Sequence, residues 1–222
     1  MSSNGGTGGR EVLESGFRVL RALPDADRRR QVSSLAELTS IPRSTVHRLL
    51  LQLRRAGAVE LRADGRWAVS PRLVEVAAGA GPLDGMRTST NRILQALRAQ
   101  TGATVSLVVA AGTSLTALEY LPGHEDLPID VYAGAGMPDL TAAAVVLDPA
   151  QGRSPRARPF AAAVDNQDVI EGLTCYARLL TLPGDRRAAL AITTSAARPA
   201  ERFAAQVQRA GNAIEDLGRR VR

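Results

Sequence analysis

An α+β chain in two parts is predicted from three observations. Three short helical patterns run straight into a hairpin signal in the first third, a Gly/Pro break falls near residue 80, and alternating strand patterns flanked by helices follow it. The 222 residues, 45% of them hydrophobic, are enough for two modest cores.

Residues 1–10 are rich in Gly and Ser and are expected to form a disordered tail. From Val12 the apolar positions Phe17, Val19, Leu20 and Leu23 keep helical spacing until Pro24, and Pro24–Asp27 reads as a turn. Ser34-Leu35-Ala36-Glu37 has capping-box form, so a short helix should start there and run to Leu38 or Thr39. Pro42 suits the first position of a third helix, in which Val46, Leu49, Leu50 and Leu53 mark a buried stripe up to Gly57. Val59–Arg62 and Arg66–Val69 are short β-compatible runs joined through Ala63-Asp64-Gly65, and Asp-Gly is a strong hairpin signal. Three helices and a hairpin in this order predict a winged helix-turn-helix, with Trp67 as an apolar anchor beneath the wing.

Pro71–Ala78 restarts a helix, and Gly79–Pro82 breaks it. Beyond the break, Leu83–Gln100 is predicted helical, and Thr104–Ala110 and Leu115–Leu121 as strands about Ala111–Thr113. Ile129–Ala133 is expected to be a third strand, Thr141–Leu147 a short helix, and Arg153–Phe160 a loop. Thr174–Leu182 and Ala188–Ser195 predict two more strands about Pro183-Gly184-Asp185, and Arg198–Val221 a closing helix.

Charge is unevenly placed. All 28 basic residues are arginine; residues 1–80 hold 13 of them against 8 acids (net +5), and residues 81–222 hold 15 against 14 (net +1). An Ala- and Arg-rich, lysine-free composition also follows from genomic base content, but that does not concentrate charge in one third of the chain. Arginine pairs in fork geometry with phosphates and guanine edges, so a polyanionic partner for the first third is expected. One cysteine excludes an intrachain disulfide and a multi-cysteine zinc site, and with two distant histidines no metal and no cofactor is expected. No run approaches the roughly 18 apolar residues of a membrane span, and the N-terminus lacks a signal-peptide pattern; a cytoplasmic chain without membrane contact is expected.

Four stretches together resemble the IclR family of bacterial transcription regulators. They are Ser34-Leu35-Ala36-Glu37-Leu38; Ile41-Pro42-Arg43-Ser44-Thr45-Val46-His47-Arg48-Leu49-Leu50; the wing Asp64–Leu73; and Gly172-Leu173-Thr174-Cys175-Tyr176-Ala177. The wing departs from the family pattern at Trp67-Ala68-Val69-Ser70, and the region between Thr141 and Asp165 is short. The resemblance implies a winged helix-turn-helix DNA-binding domain over residues 11–70, a linker helix over 71–82, and a GAF-like antiparallel sheet domain with flanking helices over 83–222 that binds an effector and dimerises. It further implies a double-stranded DNA operator, a small organic effector such as an organic acid, and a homodimer or dimer of dimers acting as a repressor or activator without enzymatic activity. A constitutive DNA-binding or architectural factor, whose shortened C-terminal domain only dimerises, is the alternative.

Arg43, Ser44, Thr45, His47 and Arg48 occupy the first two turns of the third helix, where a recognition helix presents side chains to base edges, and Ser34 opens the preceding helix. His47 is open between a core-edge position and a phosphate contact. Arg62 and Arg66 flank the wing turn and are assigned to phosphate contact, with plain solubilisation as the other possibility. Arg28-Arg29-Arg30 follows the first helix as a solvated charge run. Cys175 is either a buried, inert thiol or, by the resemblance, the start of a strand lining the effector pocket, with Asp165, Leu173, Thr141 and Ala142 around it. Arg178 or a backbone amide is expected to compensate Asp165.

Overall fold

The computed structural model describes residues 6–78, 83, 85–111, 114–138, 141–147, 157–158 and 161–220. It divides into two compact units, Met1–Gly81 and Pro82–Arg222.

The first unit comprises α1 (Gly6–Ala22), α2 (Gln31–Thr39), α3 (Arg43–Arg55), the antiparallel pair β1 (Val59–Leu61) and β2 (Trp67–Val69), and α4 (Pro71–Ala78). Its core joins Val19 and Leu23 of α1, Leu35 of α2, Val46, Leu49 and Leu50 of α3, Val59 of β1 and Trp67 of β2. The i, i+3, i+4 spacing of the apolar positions in α1 and α3 gives each helix one buried face, and these faces meet around Leu35. A left-handed Ser40 ends α2, and the extended φ/ψ of Pro42 (−53°, 138°) turns the chain into α3, whose first amides at Thr45 and Val46 donate to the Pro42 carbonyl.

Three expectations fail in this unit. Pro42, expected at the first position of the third helix, is instead its extended N-cap, and α3 begins at Arg43. Residues 6–10, expected in a disordered tail, belong to α1; the helix continues backward from its amphipathic part without a proline to stop it, and Arg10 pairs with Glu14 one turn on at 2.9 Å. The capping box at Ser34–Glu37 does not form either. The helix starts a turn earlier, at Gln31, Ser34 Oγ accepts the Asp27 N–H at 3.0 Å, and Glu37 pairs with Arg30 at 2.9 Å. Ser34 thus ties the preceding turn to α2 from inside the helix.

The second unit comprises α5 (Arg87–Thr101), β3 (Thr104–Ala111), β4 (Ser114–Leu121), β5 (Gly136–Met137), α6 (Ala142–Leu147), β6 (Ala157–Arg158), β7 (Ala162–Asn166), β8 (Leu173–Leu182), β9 (Arg186–Ser195), a 3₁₀ turn at Ala200–Phe203 and α7 (Ala204–Arg220). The seven strands form one antiparallel sheet in the order β5-β4-β3-β9-β8-β7-β6. Period-two alternation sends Tyr176, Leu180, Leu190 and Ile192 to one face, against Leu94 and Leu97 of α5 and Val207 and Ile214 of α7. The other face presents Ala163, Ala177, Ala189 and Ala191, whose small side chains admit α6 through Ala142, Ala143 and Val146.

Several elements differ from the sequence-based expectation here, among them the unexpected β5 and the closing helix, which starts with a 3₁₀ turn at Ala200 and becomes α7 at Ala204. The helix expected from Leu83 begins at Arg87, because Gly85 takes a positive φ of 71° that a helix cannot contain. Ile129–Ala133 is not a strand; Pro128 precedes it, and the chain reaches β4 only after a turn, through Gly134 N–H to Ala117 O and Ala117 N–H to Ala135 O. β7 has no counterpart in the expected elements, and Ala157–Arg158, inside the expected Arg153–Phe160 loop, pairs with it. The remainder of that loop, the Gly79–Pro82 break and most of the short stretch between Leu147 and Ala161 lie outside the described residues.

Candidate DNA-binding face and candidate ligand cavity

In the first unit, α3 buries Val46, Leu49 and Leu50 and exposes Arg43, Ser44, His47 and Arg48, with Thr45 half-buried. The 3.6-residue repeat places 43 beside 47 and 44 beside 48, so two cations, a hydroxyl and an imidazole share one helical face. His47 lies on this exposed face and is no part of the core. Ser34 is elsewhere: it is 8% exposed, and its hydroxyl is engaged by the Asp27 amide.

The wing is held from behind. The Gln31 side-chain amide donates to Trp67 O at 2.8 Å and accepts Trp67 N–H at 2.8 Å, while the indole is buried in the core. This clamp has no sequence signature, since a glutamine at a helix start is unremarkable without its partner. On the wing itself, Arg66 Nε donates to Asp64 Oδ2 at 2.5 Å and its backbone N–H donates to Oδ1 at 3.1 Å. The backbone and side-chain bonds from Arg66 hold the Asp64 carboxyl below its usual pKa. Arg62 lies 3.7 Å from Glu60. Both wing arginines thus carry a local acidic partner.

In the second unit, a cavity of about 60 Å³ opens on the α6 side of the sheet, enough for several waters or a compact group. Thr141, Asp165, Leu173 and Cys175, drawn from three separate stretches of sequence, all line it. Pairing explains how: Asp165 is opposite Cys175 and Cys175 opposite Thr193, giving one cross-strand row on β7, β8 and β9. A second row adds Tyr120 and Ser106. Apolar side chains of the β4–α6 connection and the β7–β8 turn, among them Ile129, Val131, Met137 and Ile170, close the walls. The sequence gives no site signal for these wall residues: Ile129 and Val131 read as part of a strand, Met137 lies on the two-residue β5, and Ile170 lies in a turn. Ala142 is 1% exposed and packs α6 on the sheet without lining the cavity.

The Cys175 thiol is 3.3 Å from Thr193 Oγ1. Burial, with the Asp165 charge adding to it, pushes its pKa up to about 11 against the pull of the Thr193 bond. The thiol is therefore neutral at physiological pH and behaves as a soft apolar surface. Asp165 Oδ1 accepts the Asp168 N–H at 2.9 Å. Arg178, expected as a compensating cation, is three residues from Cys175 on the opposite face of β8, where it donates to Gln208 O at 2.7 Å and Glu215 Oε2 at 2.6 Å. Among the described residues, no group of three or more His, Cys, Asp or Glu side chains converges as a metal site, and no helix is long and apolar enough to cross a membrane.

Residues 12–63 match the IclR helix-turn-helix domain. The "Probable transcriptional regulator SauR" of Cupriavidus necator is 27% identical over 123 residues, 55% of this chain and 49% of that protein, so the match spans about half the relative's length. Among solved structures, an IclR homolog from Microbacterium hydrocarbonoxydans complexed with 4-hydroxybenzoate superposes with a TM-score of 0.74 at 18% identity, covering 94% of this chain and 99% of that one. The IclR of Thermotoga maritima superposes at 0.58 with 16% identity, covering 95% and 96%. These likenesses show a shared fold from the helix-turn-helix unit through the sheet unit. Residues 12–63 thus carry an IclR helix-turn-helix domain, and the chain shares the fold of solved IclR regulators over nearly its whole length.

Proposed function

We propose that the chain is a ligand-responsive regulator in which residues 11–70 dock on an operator, residues 71–82 link, and residues 83–222 bind a small organic effector and dimerise in the cytoplasm. The observation that carries the effector half is the cavity itself. Thr141, Asp165, Leu173 and Cys175 converge on one mostly apolar space with a few polar groups, the usual composition of a small-molecule site.

On the DNA side, Arg43 and Arg48 supply bidentate donors for guanine O6 and N7, and Ser44, Thr45 and His47 supply shorter contacts to bases or phosphates. A homodimer presents two such helices on a pseudo-palindrome. The effector acts by binding one arrangement of the dimer more tightly than another, since a ligand of equal affinity for both would shift nothing. The Microbacterium homolog's 4-hydroxybenzoate makes compact aromatic molecules the first class to test.

The test is a thermal-shift screen of small aromatic and aliphatic compounds, 4-hydroxybenzoate among them, on the full chain and on Cys175→Trp. A ligand at 100 times its Kd stabilises by about 2.7 kcal/mol. A shift in the wild type that vanishes in Cys175→Trp, with the unliganded melting unchanged in cooperativity, is the expected result. A shift that survives the tryptophan puts the site elsewhere, and no shift with any compound favours the constitutive alternative.

A further inference from the structure

The charge run Arg28-Arg29-Arg30 lies on the turn between α1 and α2, and the fold gives it company. A concavity of about 380 Å³ is lined by Arg28, Arg29 and Arg30 from this turn, Arg43 from the start of α3, and Asp64 and Arg66 from the wing. Three elements distant in sequence thus bring five guanidinium groups and one carboxylate to a single hollow.

The five are not equivalent. Arg30 is committed to Glu37 at 2.9 Å and lies 3.5 Å from Asp27. Arg66 is committed to Asp64. Arg28, Arg29 and Arg43 are exposed and have no ion-pair partner among the described residues. Three uncompensated cations around one hollow repel each other, and a polyanion relieves that repulsion.

We propose that this hollow is a DNA-backbone cradle in which Arg28 and Arg29 hold phosphates, while the wing arginine Arg66 contributes little because Asp64 already neutralises it. The assignment rests on α3 being the DNA-facing helix, since Arg43 at its first turn borders the same hollow. It moves backbone contact from the wing tip to the turn before α2, and it makes Asp64 a built-in brake on the wing's affinity for DNA.

The experiment is a salt titration of the full chain on a labelled random-sequence duplex, which isolates backbone contact from base reading. Each phosphate neutralised contributes about 0.9 to the slope of log K against log salt. Arg28→Ala combined with Arg29→Ala should flatten the slope by about two. Asp64→Asn keeps an acceptor for the Arg66 amide, removes the charge, and should steepen the slope by about one; Arg66→Ala should flatten it by clearly less than one. An unchanged slope in the Arg28/Arg29 double variant, or in Asp64→Asn, overturns the cradle. Arg43→Ala combined with Arg48→Ala is compared in parallel by selection of bound duplexes from a random-sequence library: if the cradle variants fail and this pair still loses the motif that the wild type enriches, only the cradle is wrong. If this pair enriches the same motif as the wild type, the DNA-facing assignment of α3 falls with it.

Discussion

Gln31 pairs with Trp67 as a strand would, giving one N–H and taking one, and so fastens the wing to the start of α2. Gln31→Ala leaves both main-chain groups of the buried Trp67 without their partner. It should cost about 1–3 kcal/mol in denaturant unfolding and raise hydrogen exchange at Trp67 selectively. Unchanged stability together with unchanged exchange at Trp67 would show that water replaces the clamp at no cost.

Gly211 on α7 has a steric reason to be glycine. A Cβ there would lie 2.3 Å from Arg178 Nη1, in the space through which the guanidinium reaches Glu215. Gly211→Ala should therefore destabilise by roughly 1–3 kcal/mol, the ordinary cost of overpacking. In an Arg178→Ala background the clash is gone, and alanine's helix propensity should instead stabilise by about 1 kcal/mol. A loss of the same size in both backgrounds would contradict the assignment to Arg178.

The Cys175 thiol sets a pH dependence of known sign. Its folded pKa of about 11 exceeds the ordinary value of 9.0, so the neutral form favours the folded state. That contribution is fully present below pH 9 and is lost as pH rises through 11. The stability difference between wild type and Cys175→Ser should be flat up to about pH 9 and then shrink. Alkylation of the native thiol at pH 8 should likewise be far slower than that of the unfolded chain. A native thiol that alkylates as fast as the unfolded one sinks this account.

We propose Arg43 as the base-reading arginine, because it is exposed on the first turn of α3 and has no ion-pair partner among the described residues. Arg43→Ala should weaken operator binding by about 1–3 kcal/mol and relax preference at one base position. An equal loss on operator and random DNA would reassign it to the backbone.

Much of the fold follows from pattern, and the exceptions have physical causes. The buried stripe of α3, the Asp-Gly hairpin and the two long strands are readable because their apolar spacing matches one period only. The Ser34–Glu37 box misleads because a serine three residues before a glutamate is also what an interior serine bonding a preceding turn looks like; its partner, Asp27 N–H, is a tertiary matter. β7 is hidden because it carries Ala162 and Ala163, poor strand formers, of which Ala163 lies on the face that α6 approaches and Ala162 on the opposite one. Ile129–Val131 has strand composition, yet serves as a wall of the cavity. At the cavity, the cross-strand pairing of Asp165 with Cys175 and of Cys175 with Thr193 is what no local reading supplies, and Arg178 shows the converse, since one step of alternation puts a promising cation on the wrong face.

Whether the exposed face of α3 reads a DNA sequence is measured most directly by selection of bound duplexes from a random-sequence library, with the full chain and with Arg43→Ala combined with Arg48→Ala. The wild type should enrich one pseudo-palindromic motif whose half-sites lie about 34–36 Å apart or a multiple of that, and the double variant should lose or alter it while still binding DNA at low salt. A wild-type chain that enriches no motif, or a double variant that enriches the same motif to the same degree, would contradict sequence reading by that face.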